Sequence, residues 1–379
     1  MGSHTGCDRL RIAIVVLAGL LLVVGAQAAT TQSESGIRIA QGRNFNDPPG
    51  VVPPRGDDAI DRLLDAVQID RPVSYHGLTL FPVSLRRDYA DFLPKTFDRA
   101  VRDRDLIVEE VGGGEVNSVR VRNDGSRAVF LMAGEIMIGS KQDRTLKQDA
   151  LIGPRSGWVT VPVYCVEAGR WTVVSPTFGT KDMLAAPSLR AQAYAGAEQS
   201  SIWSEVDRVA GEQGVRQSSG RAFQEIYEDR EVKGRVDDYL SHLRPSGERV
   251  VGLVAFSGQE PIAADLFGHE DVYGALRDKL IKSYVLQIHP ELGAGREDTP
   301  QMRDAARFLA RAWSEQCSRI SVSTPGVGES LRLRNQRTST GGGALVYHEG
   351  AVHVSLFPTM SIEPIPLPGP GPLPIPRPE

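Results

Sequence analysis

Two short polar clusters contain most of the side chains with which this chain could do chemistry. The first, GSKQDR, spans Gly139–Arg144, and the second, CVEAGRW, spans Cys165–Trp171. Each cluster follows a short apolar run that is typical of a strand. Because the segment between them resembles a hairpin, strand pairing would bring both clusters to one rim of a sheet. Such a rigid β scaffold is where binding residues are held most accurately.

The basic residues of the two clusters suit an anionic ligand. Lys141 offers a point charge, whereas Arg144 and Arg170 offer planar forks that match a carboxylate or a phosphate. Gln142 adds an amide, and Trp171 adds a ring on which a ligand could stack. These five residues are therefore the predicted ligand-binding set. The alternative is a charged turn that local salt bridges hold, with the tryptophan in the core.

Two glutamates are the candidate catalytic residues. Glu135 and Glu167 could flank a bound sugar, and paired carboxylates suit the hydrolysis of glycosidic bonds, including N-ribosyl bonds. The sequence contains no GxSxG elbow and no Walker or GxGxxG pattern, which argues against a nucleophilic serine and a Rossmann crevice. Whether the protein is an enzyme stays open.

Cysteine and histidine give little sign of a metal site. Beyond the N-terminal segment, Cys165 and Cys317 are the remaining cysteines, and in an oxidising compartment these two could form a disulfide. The alternative is two separate buried thiols. Because the chain lacks CxxC and HExxH spacing, we predict no metal site. The cofactor is unknown at this stage.

The N-terminal residues 1–29 have the features of a secretory signal. Arg9 and Arg11 precede the apolar run Ile12–Val24, and Ala26-Gln27-Ala28 gives the small-x-small pattern of a cleavage site after Ala28. We therefore predict a secreted or periplasmic protein. The alternative is an uncleaved anchor, which would be the only predicted contact with a membrane.

Between the ends of the chain we predict one folded domain, residues 57–358. A flexible linker, residues 30–56, precedes this domain. After it, residues 359–379 form a disordered tail in which every second residue from Pro364 to Pro378 is proline. Proline fixes φ and lacks an amide hydrogen, so the tail is expected to be extended polyproline II. It would act as a spacer or dock on a protein partner.

Hydrophobic periodicity predicts an α+β domain. Turn signals separate short alternating runs as far as Val166, which indicates antiparallel strands. Val250–Phe256 is fully apolar and reads as a buried strand, and Arg319–Phe357 returns to strands. The sequence predicts six helices: the short amphipathic segment Ala59–Val67, then Lys95–Asp105, Ile202–Gln213, Arg221–Leu243, Glu270–His289 and Gln301–Cys317. The expected fold is a mostly antiparallel sheet with a helical middle segment packed on it.

Composition argues against nucleic acid as a partner. The formal net charge is −4, and aromatic residues make up only 6% of the chain. A nucleic-acid-binding surface needs a basic patch, and single strands need stacking rings. We therefore predict no nucleic-acid partner.

Four blocks of sequence resemble the ARPP family, whose name stands for ARG and rhodanese-phosphatase-superfamily-associated proteins. The blocks are GEIMIGSKQDR, VPVYCVEAGRW, VVGLVAFSGQEPIAADLFGHEDVYGALRDKLIKSYVLQ and ALVYHEGAVHVSLF, and the resemblance covers roughly residues 75–357. It implies a link to NAD or ADP-ribose metabolism and transfers no established activity.

Three hypotheses follow from the residues and the resemblance. The first is an exported protein that binds an anionic small molecule, related to a nucleotide or ADP-ribose, at GSKQDR and CVEAGRW. The second is a hydrolase on an NAD- or ADP-ribose-type substrate with a glutamate base. The third is a structural or interaction module of the cell envelope.

Overall fold

The computed structural model of the protein describes most of the predicted domain. The described ranges are 37–38, 58–112, 114–288, 299–314 and 316–358. The predicted signal and the Pro-rich tail lie outside these residues, as does the predicted linker apart from Ile37–Arg38. All described residues belong to one compact unit of the chain, residues 35–379.

The described residues form eight helices and nineteen strands, most of them antiparallel, which confirms the α+β class. The helices are α1 Ala59–Ala66, α2 Phe97–Arg102, α3 Pro187–Ala195, α4 Gln199–Glu212, α5 Gln224–Glu228, α6 Arg230–His242, α7 Glu270–Val285 and α8 Met302–Ala310. The strands are β1 Ile37–Arg38, β2 Val67–Ile69, β3 Val73–Tyr75, β4 Leu78–Leu85, β5 Lys95–Thr96, β6 Leu106–Glu110, β7 Ser118–Asn123, β8 Val129–Leu131, β9 Ile136–Gly139, β10 Arg144–Leu146, β11 Ala150–Ile152, β12 Val159–Cys165, β13 Phe178–Gly179, β14 Val250–Ser257, β15 Glu260–Phe267, β16 Cys317–Val322, β17 Glu329–Asn335, β18 Thr340–Tyr347 and β19 Gly350–Pro358.

A ten-stranded antiparallel sheet forms the centre of the fold. Its order is β1-β2-β4-β14-β15-β19-β18-β17-β16, and β3 also pairs with β4. The central strand β14 contains the predicted apolar run, and its side chains alternate between two layers. Val254 and Phe256 pack with α1 and α8, whereas Leu253 and Ala255 pack with the layer that contains α3, α4, α6 and α7. Because both faces are covered, the strand is apolar along its length.

A six-stranded sheet carries the two polar clusters. Its order is β13-β9-β10-β12-β7-β6, and a three-stranded sheet, β11-β8-β5, packs in the same apolar cluster as these strands. In the pairing of β10 with β12, Arg144 lies opposite Cys165. The last residues of the first cluster and the first residues of the second are thus direct neighbours, as the hairpin reading predicted.

Several of the predicted helices have other boundaries; α7, for example, ends at Val285. The segment Arg221–Leu243 is divided into α5 and α6, because the side chain of Asp229 accepts hydrogen bonds from the amides of Glu231 and Val232 and so caps a new helix. The last predicted helix ends at Ala310, and the chain enters β16 at Cys317.

The possible disulfide between Cys165 and Cys317 is not formed. Both side chains are buried thiols. Cys165 ends β12 in the six-stranded sheet, where its Sγ donates to the carbonyl of Glu167 at 3.0 Å. Cys317 begins β16 at the edge of the ten-stranded sheet and packs in the cluster beneath α1 and α8. The two thiols occupy different sheets, so the structure matches the alternative of two separate buried cysteines.

A fully buried charge network crosses the centre of the molecule. Arg190 of α3 forms two parallel bonds to Asp265 of β15, Nη2–Oδ1 at 2.6 Å and Nη1–Oδ2 at 3.0 Å. His353 of β19 contacts Asp149 through Nδ1 at 2.7 Å and Asp265 through Nε2 at 3.2 Å. Two cations thus meet two carboxylates in the interior. Burial works against the charged imidazole, yet the two carboxylates raise the pKa of His353 to about 9.

Replacement of Asp265 by asparagine is expected to destabilise the fold strongly. Asp265→Asn keeps the side-chain shape but leaves the buried Arg190 without its carboxylate and His353 with Asp149 as its remaining carboxylate. The free energy of unfolding, measured by urea titration, should fall by about 3–5 kcal/mol. The control is Asp88→Asn, since Asp88 forms an exposed pair with Arg249 that should contribute less than about 1 kcal/mol. Equal losses in both variants would contradict a structural role for the network.

Candidate functional site

The two polar clusters meet at one rim of the six-stranded sheet, as predicted. We call Ser140–Arg144 and Glu167–Trp171 together the rim cluster. The amide of Asp143 donates to the Glu167 carboxylate at 3.0 Å, and the Gln142 side chain donates to the Glu167 carbonyl at 2.8 Å. Gly169 is required at its position, because a Cβ there would lie 1.9 Å from the carbonyl oxygen of Ser219.

Arg170 holds the rim cluster together through all of its donors. A guanidinium carries five N–H donors, and here each has a partner. The bonds run from Nε to Glu167 Oε1 at 2.7 Å, from Nη2 to Glu167 Oε2 at 2.5 Å and Asp143 Oδ1 at 3.2 Å, and from Nη1 to the carbonyls of Ser140 at 2.8 Å and Thr172 at 3.0 Å. A ligand anion would therefore have to displace an existing partner of Arg170.

Arg144 is enclosed rather than presented to a ligand. Its side chain is fully buried, and its Nη1 donates to Gln142 at 3.0 Å. The nearest carboxylate, that of Glu110, is 3.7 Å from Nη2. In the part of the chain that the structure describes, Nε and Nη2 have no hydrogen-bond partner. The predicted fork of Arg144 thus points into the protein.

Lys141 and Trp171 lie at the surface of the rim cluster. The Lys141 ammonium is 5.2 Å from the centre of the Trp171 ring, and 48% of Trp171 is exposed, so this tryptophan is not a core residue. A cavity of 290 Å³ adjoins Lys141, but the carboxylates Glu109 and Glu110 also line it. These acidic groups oppose the binding of an anion at this surface.

The two predicted catalytic glutamates do not share a site. Glu135 is 1% exposed, and its carboxylate accepts bonds from the Met132 amide at 2.9 Å and the Lys279 ammonium at 2.7 Å. Lys279 also pairs with Asp98. Burial, together with Asp98, raises the pKa of Glu135 to about 7 despite the lysine. Glu167 is 5% exposed, and Arg170 neutralises it.

Ser355, His353 and Asp149 are ordered as in a Ser-His-Asp triad. The Ser355 hydroxyl is 3.2 Å from His353 Nε2, and His353 Nδ1 is 2.7 Å from Asp149. However, the hydroxyl donates to Asp265 at 2.7 Å, the raised pKa of His353 keeps the ring protonated, and Ser355 is fully buried. A protonated imidazole cannot accept the serine proton, so the trio belongs to the structural network.

A cavity of 330 Å³ contains basic residues that sequence reasoning missed. We call it the β12–α4 cavity, because it lies beside β12, the N-terminus of α4 and β17. Lys147 stacks on Tyr164, with 4.1 Å from Nζ to the ring centre, and burial lowers its pKa. Arg332 of β17 is exposed and lines the same cavity. Among the described residues, neither cation has an ion pair or a hydrogen-bonded side-chain partner.

The N-terminus of α4 faces this cavity without a side-chain cap. Glu198 occupies the cap position, and no side chain caps the helix. The first main-chain bonds of α4 come from the amides of Ser201 and Ile202, and both go to the Glu198 carbonyl. The free amides that open a helix form a positive site for anions. A glutamate where Ser, Thr, Asp or Asn would normally cap a helix is the signal that the sequence offered for this site.

A buried hydroxyl without a partner lines the same cavity. Ser330 of β17 is 4% exposed, and in the described part of the chain its Oγ makes no hydrogen bond. Two acidic residues, Asp149 and Glu198, also line the cavity, but His353 pairs with Asp149. The net charge of the groups around the cavity is therefore positive. It combines two cations, Lys147 and Arg332, and the positive end of a helix with one remaining carboxylate.

Neither a metal centre nor a membrane span is found within the described residues. No group of three or more His, Cys, Asp and Glu side chains there is arranged to hold a metal ion. None of the helices in these ranges has the length and apolarity to cross a bilayer.

Comparison with known proteins identifies one family. The model of the ARG and Rhodanese-Phosphatase-superfamily-associated Protein domain (ARPP-1) matches residues 66–357. No curated protein and no solved structure matches the chain. The description of the family names an association and no reaction, so the geometry has to indicate the function.

The raised pKa of Glu135 predicts a pH dependence of stability. Folding raises this pKa from 4.5 to about 7, so the folded state binds more protons between these values. Stability should therefore fall as pH rises from 4.5 to 7, by up to roughly 3 kcal/mol. Urea titrations at pH 4.5, 5.5 and 7 of the wild type and Glu135→Gln provide the measurement. If the variant shows the same pH slope as the wild type, Glu135 is not the titrating group.

Removal of the Arg170 side chain is expected to destabilise the rim rather than only to weaken binding. In Arg170→Ala, Glu167 and Asp143 lose their common cation while they stay buried. The free energy of unfolding should fall by about 3 kcal/mol or more. The control is Arg277→Ala, since Arg277 pairs with its exposed neighbour Asp278 and should matter little. Unchanged stability in Arg170→Ala would contradict this structural role. It would mean that the guanidinium of wild-type Arg170 is available to a ligand.

Proposed function

Because this chain belongs to the ARPP family, whose description gives no reaction, we propose from the geometry that it binds a small anionic molecule in the β12–α4 cavity. With the predicted signal at residues 1–29, binding would take place outside the cytoplasm. The observation that carries the proposal is a pair of cations, Lys147 and Arg332, without ion pairs at the open N-terminus of a fourteen-residue helix.

Electrostatics supports an anion in this position. Burial of the charged Lys147 side chain costs free energy, and its pKa is lowered by this burial even though the nearby Glu198 carboxylate acts in the opposite direction. An anion in the cavity would offset this cost. The planar guanidinium of Arg332 suits a phosphate or carboxylate, and the amides of the helix end suit the remaining oxygens. Each of these groups alone would bind an anion weakly, but all of them line the same cavity.

The size of the cavity favours a small ligand. Its volume of 330 Å³ is near the lower end of the range for small-molecule sites. A sugar phosphate or a similar metabolite fits this volume better than a whole dinucleotide. The ligand class predicted from the sequence thus stays, but the proposed site moves away from the rim cluster, because Arg170 and Arg144 are engaged or enclosed there.

The interaction role is a second candidate, because one surface feature favours it. At the end of the rim cluster and in the loop that follows it, Trp171, Val173 and Val174 are 48%, 58% and 63% exposed. Consecutive exposed apolar side chains of this size are uncommon outside contact surfaces. The hydrolase alternative has no comparable support, since neither Glu135 nor Glu167 lines the β12–α4 cavity.

A ligand screen with matched variants tests the binding proposal. Thermal shift with inorganic phosphate, sugar phosphates, nucleotides, NAD and ADP-ribose should reveal a ligand. At 100 times its dissociation constant, the ligand should stabilise the protein by about 2.7 kcal/mol. Calorimetry should then show that Lys147→Met and Arg332→Met each raise the dissociation constant at least about tenfold, because each removes a charge-assisted contact.

The control for this experiment comes from the same strand. Arg334 lies two residues beyond Arg332 on β17 and does not line the cavity, so Arg334→Met should bind as the wild type does. A ligand that binds all three variants equally well would place the site elsewhere. No stabilisation by any compound of the panel would count against small-anion binding and favour the interaction role.

A further inference from the structure

A second cavity, independent of the proposed anion site, is lined by aromatic side chains. We call it the aromatic groove. It has a volume of 540 Å³ and lies between the loop 87–94 and the turn 347–352 that joins β18 to β19. Tyr89, Phe92 and Tyr347 line it, with 4.6 Å between the ring centres of Phe92 and Tyr347. The last two rings are only half-buried.

Two carboxylates stand at the margin of the groove. Asp91 and Glu349 are exposed and line the cavity. Within the described ranges, neither side chain forms an ion pair. Arg62 and Arg87 also line the groove, but Arg87 pairs with Asp65 and the Arg62 guanidinium donates to the carbonyl of Glu349. The Asp91 and Glu349 carboxylates therefore stay available to a basic residue of a proline-rich peptide that lies on the rings.

The chain itself contains a peptide of this kind. From Ile365 to Pro376 the tail consists only of proline, isoleucine, leucine and glycine, and Arg377 follows. Its apolar side chains gain from burial, and proline reduces the entropy lost when the peptide binds. The basic residue complements Asp91 and Glu349.

The length of the tail allows it to reach the groove. Strand β19 ends at Pro358, and its first residue, Gly350, lies at the groove. The strand between them spans roughly 27 Å. Twenty-one residues such as 359–379 would span roughly 65 Å if they adopted the polyproline II conformation. The tail can therefore turn back along the sheet and still place its apolar part on the rings.

From these observations we propose that the Pro-rich tail, residues 364–378, docks in the aromatic groove of the same molecule. Phe92 and Tyr347 contact the prolines, and Arg377 pairs with Asp91 or Glu349. Because the tail is covalently attached, its effective concentration at the groove is on the order of millimolar, so even a weak contact is populated.

Hydrogen–deuterium exchange of the whole protein tests the proposal. In the variant, Pro366, Pro368, Pro374 and Pro376 are replaced by serine, which leaves the folded domain unaltered. Amides of segments 87–93 and 347–352 should exchange about twofold faster or more than in the wild type, because a half-occupied groove already protects by this factor. Segment 139–144 in the rim cluster is the internal control. Equal exchange of the groove segments in both proteins would overturn the proposal.

A charge reversal tests the orientation of the tail. Arg377→Glu should accelerate exchange in the groove by about two- to fivefold, the range expected for one exposed ion pair. Adding Asp91→Arg or Glu349→Arg should restore protection by reversing the pair. If neither second substitution restores it, the proposed contact of Arg377 is wrong.

Dependence on concentration separates the groove's own tail from that of a second copy. Docking within one molecule gives the same protection at every protein concentration and a monomeric mass in light scattering. Protection that develops only as dimers form would assign the groove to a second chain and overturn docking within one molecule.

Discussion

The buried pair of Arg190 and Asp265 is the contact on which the layers of this protein depend. Arg190 comes from a helix, and Asp265 comes from the middle of the ten-stranded sheet. Burial alone would raise the pKa of Asp265, but Arg190 and His353 lower it far below its ordinary value. Each charge is acceptable in the interior only while the other is present. The pair therefore fixes how α3 lies on the sheet.

His353 extends this constraint to the segment that carries the polar clusters. The ring joins Asp265 to Asp149, which lies between β10 and β11 and also accepts the amide of Ala133 at 2.8 Å. Asp149 in turn lines the β12–α4 cavity, as does Tyr194. The Tyr194 ring can lie on β18 because residue 343 is glycine, where a Cβ would be 2.1 Å from the ring. The wall of the proposed binding site is thus built on the structural charge network.

Local patterns predicted much of the fold. The α+β class and the buried strand β14 follow from alternation and turn residues. The meeting of GSKQDR with CVEAGRW follows from the pairing of β10 with β12, although β11, which lies between them in the chain, belongs to another sheet. Features that depend on distant partners could not be predicted in this way. The Glu167–Arg170 pair matches the alternative of a turn held by local salt bridges, but nothing in the sequence near Arg170 indicates that Asp143 and the carbonyl of Ser140 also take up its donors. Nothing near Cys165 places Cys317 in another sheet. Lys147 and Arg332 likewise come together only through the packing of separate sheets.

The difference between the rim cluster and the β12–α4 cavity lies in whether the charges are satisfied. A sequence shows which residues carry charge, and both regions contain basic residues beside aromatic ones. At the rim, Arg170 forms ion pairs with Glu167 and Asp143. These carboxylates neutralise the positive charge that would otherwise attract an external anion. In the cavity, Lys147 contacts a ring and forms no ion pair within the described residues, although the Glu198 carboxylate lines the same space, and no side chain caps the helix end beside it. An unsatisfied positive charge at a concave surface is the condition under which an external anion adds stability, and this condition distinguishes the second region from the first.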